Sequence, residues 1–175
     1  EFVEGNAELT PARLIGHFDP ARVLSEGYDP DVFVAGPLAQ ALNDGSLLYI
    51  EELNRVPEET LNVLITVMSE RELNVPRLGR IEAAPGFRLV SAMNPFDAVG
   101  TARISGAVYD RVCRIAVGYQ SVADETMILR RETAQASPGA LNDVDASWRD
   151  GVVELVRLTR NHPDLRIGSS IRGAI

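Results

Sequence analysis

The sequence predicts an α/β domain on a parallel sheet, followed by a small helical piece. Three observations predict it. An unbroken apolar run at 47–50 and largely apolar segments at 87–92 and 113–117 alternate with segments of helical period, the pattern of parallel strands joined by crossover helices. The clearest helical segment, 57–72, lies between the first two runs, where a crossover belongs. After about residue 140 the strand signals stop and the pattern becomes helical.

Taken in order, residues 1–46 have mixed character, with turn signals at Asp19-Pro20, Asp29-Pro30 and Gly36-Pro37. Residues 38–43 read as a short helix before an Asp44-Gly45 turn. The run 47–50 is too short for a helix and follows a glycine, so it reads as a strand buried on both faces. Pro57 suits the first turn of a helix, and Glu58 and Glu59 suit its positive end. Leu61, Leu64, Ile65 and Met68 then fall at helical spacing. Residues 73–86 read as an irregular hairpin with Gly79-Arg80 at its tip. A second strand, 87–92, ends at Met93-Asn94-Pro95.

Ser105 is placed to cap a short helix through Val112. The run 113–117 reads as a third strand with Cys113 as a buried thiol. Ser121 and Asp124 have capping-box spacing, which predicts a helix over 122–135. A loop over 136–145 and helical pieces at 146–161 and from Ser169 or Ser170 onward complete the chain.

Composition excludes several function classes. With 45% apolar and 24% charged residues, the chain is globular rather than disordered. No apolar run approaches the roughly 20 residues of a membrane span, and residues 1–8 lack the pattern of a secretory leader. A net charge of -8 argues against a broad nucleic-acid surface. The single cysteine fits a reducing compartment. All 17 basic side chains are arginine, so no mechanism that needs a lysine can be completed within these residues.

Glu51 and Glu52 stand at the carboxyl end of the first strand, the edge where open α/β sheets bind ligands. Neighbouring strand side chains point to opposite faces, so one acid can hold a metal while the other reaches a water. The second strand carries Asn94 out of its own carboxyl end. Each feature has a plain explanation alone: acids appear where a strand surfaces, and an Asn before Pro95 makes an Asx-turn. Together, on neighbouring strands, they suggest a site for a metal and a hydrolytic water. A glycoside hydrolase using the two acids is disfavoured, because adjacent strand residues point apart and the chain has one Trp.

Four stretches, "GSLLYIEELNRVPEETLNVLITVMSEREL", "FRLVSAMNPFDAVGT", "ISGAVYDRV" and "RIGSSIRGAI", together resemble an AAA+ ATPase of the MoxR type, a group related to the magnesium-chelatase ATPase subunit. The match in order and spacing spans 36–175. The resemblance implies a P-loop NTPase (AAA+) core over 1–136 that lacks its phosphate loop, and a helical lid portion over 137–175. It implies ATP and Mg²⁺ as cofactors. Residues 47–52 are similar to the Walker B strand, with Glu51 orienting the metal and Glu52 polarising the attacking water. Asn94 resembles sensor 1, Arg111 the arginine finger that acts in the neighbouring subunit, and Arg172 the sensor 2 arginine on the terminal phosphate. These residue types suit phosphoryl transfer, which is mostly positioning and charge stabilisation. Arginine serves there as a permanently charged planar fork.

The resemblance further implies a cytoplasmic homo-oligomeric ring, hexameric in the family. Such a ring remodels or activates a partner complex, often with a von Willebrand factor A domain protein. A non-catalytic assembly module using the same ring interface is the alternative. The hairpin at 73–86 fits an insert of the group that faces the ring pore or a partner, and fits an ordinary surface hairpin equally. Two features depart from the family pattern. Glu51 stands where the family has Asp, and no GxxxxGK[ST] motif is present. The chain therefore reads as the carboxyl-side part of a longer protein, inactive alone. The family's phosphate-loop strand lies between 87–92 and 113–117, so a gap is expected between those two segments.

Overall fold

The computed structural model describes residues 1–94, 104–136 and 146–175. Among them the chain runs β1 (Phe2–Glu4), α1 (Pro11–Ile15), β2 (Gly16–Phe18), α2 (Pro20–Glu26), β3 (Phe33–Ala35), α3 (Pro37–Asp44) and β4 (Leu47–Glu51). It continues through α4 (Glu58–Glu70), β5 (Glu72–Val75), β6 (Gly79–Glu82), β7 (Arg88–Ser91), α5 (Gly106–Tyr109), α6 (Val122–Ala136) and α7 (Ala146–Arg160), and ends in a 3-10 turn over Ile171–Ala174. Contacts divide the chain into two compact units, Glu1–Arg114 and Ile115–Ile175.

The first unit is the α/β part. Its sheet is parallel, in the order β1-β4-β7. The register pairs Val3 with Ile50 and Leu48 with Leu89, so these side chains share one face. That face is the core: Leu48 and Ile50 are fully buried against Leu38 and Leu42 of α3 and Leu61 and Leu64 of α4. The opposite face is open. Phe2, Leu47 and Val90 are each about half exposed or more, and Phe2 lies against Tyr49 with ring centroids 5.8 Å apart. The apolar run therefore does not mark a strand buried on both faces, because among the described residues the packing covers one face only. β1, three residues long, had no signal of its own.

Three of the X-Pro steps begin helices rather than turns. Thr10, Asp19 and Gly36 are the N-caps of α1, α2 and α3, each with proline in the first turn. Proline is preset for that position and loses no hydrogen bond there. The helix α4 starts after Pro57 with Glu58 and Glu59 in its first turn and ends at Arg71 in the left-handed region. Its Thr60 is fully buried, and the hydroxyl donates to the Leu9 carbonyl at 2.7 Å, which satisfies the polar group and ties the loop after β1 to α4.

Two hairpins stand beside the sheet, β2–β3 and β5–β6. The β5–β6 turn is centred on 76–78, not on Gly79-Arg80. Gly79 instead opens β6 at φ 98, a conformation that favours glycine. The Arg77 guanidinium in that turn lies 3.7 Å from the Tyr28 ring centroid, joining the two hairpin regions.

The expected third strand is absent: residues 113–117 form no strand, and Ile115 and Val117 are more than four-fifths exposed. Cys113 is exposed as well, so it is not a buried thiol. An extended segment gains its ladder bonds only from a partner edge, and among the described residues 113–117 has none. No ladder joins it to β7 among the described residues.

The second unit is helical. Ser121 and Asp124 form the predicted box, with the Asp124 N–H donating to Ser121 Oγ at 3.1 Å and the two side chains 2.7 Å apart. Leu129 of α6, Val153 of α7 and Ile171 make its small core. Helix α6, grouped with the core in the sequence, here packs with α7. The expected loop at 136–145 falls almost wholly outside the described residues. No helix among those described is long and apolar enough to cross a membrane.

Candidate active site at the carboxyl edge of the sheet

β4 and β7 are direct neighbours, and both end at the same edge. Pairing continues beyond the strands. The Ala92 N–H donates to the Ile50 carbonyl at 2.9 Å, and the Leu53 N–H donates to the Ala92 carbonyl at 3.0 Å. Asn54 Nδ2 donates to the Asn94 carbonyl at 3.2 Å. The structure thus brings Glu51, Glu52 and Asn94 to one edge, as the two-strand reading required.

The two acids differ in a way that strand alternation did not foresee. Glu51 is the last strand residue, exposed, on the open face shared with Leu47 and Tyr49. Its carboxylate has no hydrogen bond or ion pair among the described residues. Glu52 has left the strand. It lies in the left-handed region at φ 52, ψ 45 and precedes a 3-10 turn over Leu53–Arg55. For a residue with a Cβ this costs on the order of 1 kcal/mol. The turn fixes where its carboxylate goes, rather than the period of the sheet.

Glu52 Oε2 is buried without a hydrogen bond. Among the described residues it pairs with Arg55 Nε at 3.5 Å, close enough for Coulombic attraction but too long for a good hydrogen bond. Asn54 Oδ1, also buried, lacks a partner too. Unsatisfied buried acceptors are costly unless a donor arrives, and a water molecule is a donor of suitable size. Asn54 was visible in "LLYIEELNR" but drew no role, because nothing in the spacing marks an Asn as buried.

Gly5 holds the other side of the turn. Its N–H donates to the Glu51 carbonyl at 2.8 Å. A Cβ there would overlap the Glu52 carbonyl oxygen and lie 2.7 Å from that of Glu51. β1 can therefore approach the acids only with glycine at this point.

Arg111 is exposed in the first unit, at the end of the turn that follows α5. Its Nε donates to Ser69 Oγ at 2.6 Å, and its Nη1 donates to the Ala107 carbonyl at 2.8 Å. Neither bond uses the carboxylate of the adjacent Asp110. Arg172 lies in the second unit, second in the 3-10 turn after Ser170. The N-cap position matches expectation, but the cap side chain makes no bond to the turn, and the element is a single 3-10 turn. Among the described residues no cluster of three or more His, Cys, Asp or Glu is arranged to enclose a metal, so a cation here would take one or two protein carboxylates.

Residues 1–112 match the AAA domain family, dynein-related subfamily. The chain belongs to this AAA family. Uncharacterised proteins of Staphylococcus epidermidis and of Staphylococcus aureus strain USA300 are each 36% identical to it over 119 residues, covering 67% of this chain and 44% of the relative. The AAA chain thus spans less than half the length of these relatives. A crystal structure from Cytophaga hutchinsonii, described as that of a candidate ATPase, superposes with a TM-score of 0.56 at 19% identity, covering 99% of this chain and 58% of that one. That likeness is one of fold.

Proposed function

We propose that the full-length protein is an Mg²⁺-dependent, ring-forming ATPase of the MoxR type that remodels or activates a partner complex. The observation that carries this reading is Glu52, a strained acid with one buried oxygen that lacks a hydrogen bond among the described residues, at the sheet edge where Asn54 bonds the Asn94 carbonyl. Strain and an unsatisfied polar atom are retained where they serve a site. Glu52 would accept a hydrogen bond from water and draw its proton as the water attacks, with Asn94 positioning that water. Glu51, exposed and without a protein partner among the described residues, fits the hard oxygen donor that Mg²⁺ prefers. A cation held there by Glu51 would supply positive charge that offsets the charge of the phosphates. With no lysine in the chain, the phosphates of ATP would be cradled by residues outside this segment. Arg111 would reach the nucleotide of the neighbouring subunit, leaving Ser69 to do so, and Arg172 would contact the terminal phosphate from the lid.

The test is Glu52→Gln in the full-length protein. The amide keeps the shape but cannot take a proton. Nucleotide binding should persist while hydrolysis falls by about 10²–10⁴-fold, the usual contribution of a general base. Wild-type turnover in this variant would remove Glu52 from the chemistry. A wild-type protein that binds ATP without hydrolysing it would be a non-catalytic assembly module.

A further inference from the structure

The second unit contains a buried carboxylate that the proposed chemistry does not use. Glu125, in the first turn of α6, is fully buried. Its Oε1 accepts from Arg160 Nη2 at 2.6 Å, and its Oε2 accepts from Arg157 Nη1 at 2.7 Å. Both arginines are on α7. Such charge-assisted bonds are short and strong, and they offset the cost of burying the charge.

Arg160 does more than neutralise Glu125. Its Nε donates to the Ser169 carbonyl at 2.9 Å, and its guanidinium lies 3.9 Å from the Tyr119 ring centroid. The neighbouring Thr159 accepts from the Ser169 N–H at 2.8 Å. Both backbone groups of Ser169 are therefore held by α7 side chains. Gly168 lies so close to α7 that a Cβ would overlap Arg160 Cα. Ser170 follows, and then the turn that presents Arg172. That turn is only four residues long and its cap side chain makes no bond to it, so its placement rests on Ile171 in the small core and on the clamp at Ser169.

We infer that the Glu125–Arg160–Ser169 clamp is a positioning device that sets where Arg172 presents its guanidinium to the nucleotide. Glu125 fixes the rotamer of Arg160, Arg160 and Thr159 fix Ser169, and Ser169 fixes the turn. Glu125 and Arg160 act through Arg172 and touch no substrate. The inference rests on the reading of Arg172 as a nucleotide contact.

A double-mutant cycle in the full-length protein tests it. Steady-state hydrolysis of ATP with Mg²⁺ is measured for wild type, Glu125→Gln, Arg160→Lys, Thr159→Val and Arg172→Ala, and for each of the first three combined with Arg172→Ala. Lysine keeps the charge of Arg160 but loses the fork that reaches Glu125 and Ser169 together. Valine removes the Thr159 hydroxyl, which accepts from the Ser169 N–H and donates to the Val156 carbonyl, and leaves Arg160 and Glu125 unchanged. Each clamp variant should lower kcat/KM for ATP by about 2- to 30-fold, the range seen when coupling residues are altered. Each should have no further effect once Arg172 is alanine, since coupled residues fail additivity. Additive losses with an impaired Arg172→Ala protein would overturn the clamp alone. So would clamp variants with wild-type kcat/KM. An Arg172→Ala protein with wild-type kinetics would overturn the nucleotide contact and the clamp with it. Should Glu125→Gln fail to fold, the milder Thr159→Val and Arg160→Lys cycles decide the matter by the same criteria.

Discussion

Glu52 and Glu125 are the same residue type in opposite circumstances. Glu125 is fully buried, with each oxygen bonded to an arginine at 2.7 Å or less. Glu52 is partly open, held in a left-handed backbone, with one oxygen buried and lacking a hydrogen bond among the described residues, and paired with Arg55 at 3.5 Å. A carboxylate with each oxygen held by an arginine is kept ionised and committed to its partners. One that is strained and unsaturated has been kept at a cost that folding alone does not explain. The difference separates an acid that holds structure from an acid suited to chemistry, and it does so without reference to either one's position in a motif.

Substitution at the two positions should separate rate from stability. Glu52→Gln should cost about 10²–10⁴-fold in hydrolysis while changing stability by less than about 1 kcal/mol, because no good hydrogen bond is lost. Glu125→Ala should do the reverse. Removing one partner of a buried ion pair leaves uncompensated charge and costs about 3–5 kcal/mol. Hydrogen exchange of the α7 amides would register this as a local loss of protection. Equal stability losses at the two sites would erase the distinction.

A smaller effect is expected at Gly5, which bears on Glu52 alone. Gly5→Ala pushes a methyl into the Glu51–Glu52 backbone, and misplacement near the reacting atoms by about 1 Å can cost 10²-fold. A drop in kcat of about 10- to 100-fold, with KM for ATP little changed, is the expected result in a steady-state assay. An equal change in KM would mean that the turn serves binding rather than chemistry.

The smallest effect is a pH dependence at Glu125. Burial works against its charge, but the hydrogen bonds and positive charges of Arg160 and Arg157 outweigh burial, so the carboxyl titrates below its ordinary value. A carboxyl depressed in the folded state contributes stability that is fully present above the unfolded value of about 4.3. That stability is lost as pH falls through the lower folded value. The single tryptophan, Trp148 on α7, reports on this unit. Its fluorescence should show an acid transition below about pH 4.3 that Glu125→Gln removes.

Much of the candidate site was legible because strands and their ends are local signals. Leu47 to Ile50 and Phe87 to Ala92 read as strands from short, largely apolar segments, and their carboxyl ends located Glu51, Glu52 and Asn94. What failed was whatever depended on partners. Residues 113–117 had a strand's composition without a strand's neighbour. The left-handed turn at Glu52 depends on Gly5, far away in sequence. Asp19-Pro20 and Gly36-Pro37 read as turn signals, but both begin helices, since an X-Pro step suits a turn and a helix start alike. Glu125 was the least visible. An acid in the first turn of a helix is favourable on electrostatic grounds alone, and its arginines lie more than thirty residues later.

The central claim, hydrolysis at a site shared between subunits of a ring, is tested most directly by mixing two inactive proteins. Arg111 is exposed and, among the described residues, held by Ser69 and a carbonyl, so Arg111→Ala should leave the fold intact, as surface substitutions usually do within about 0.5 kcal/mol. It should still reduce hydrolysis by about 10³–10⁵-fold, the worth of an arginine supplied in trans. Combined with Glu52→Gln subunits in one assembly, it should recover ATP hydrolysis, because some interfaces then join an intact Arg111 to an intact Glu52. Mixed assemblies that form but stay inactive would contradict the shared site.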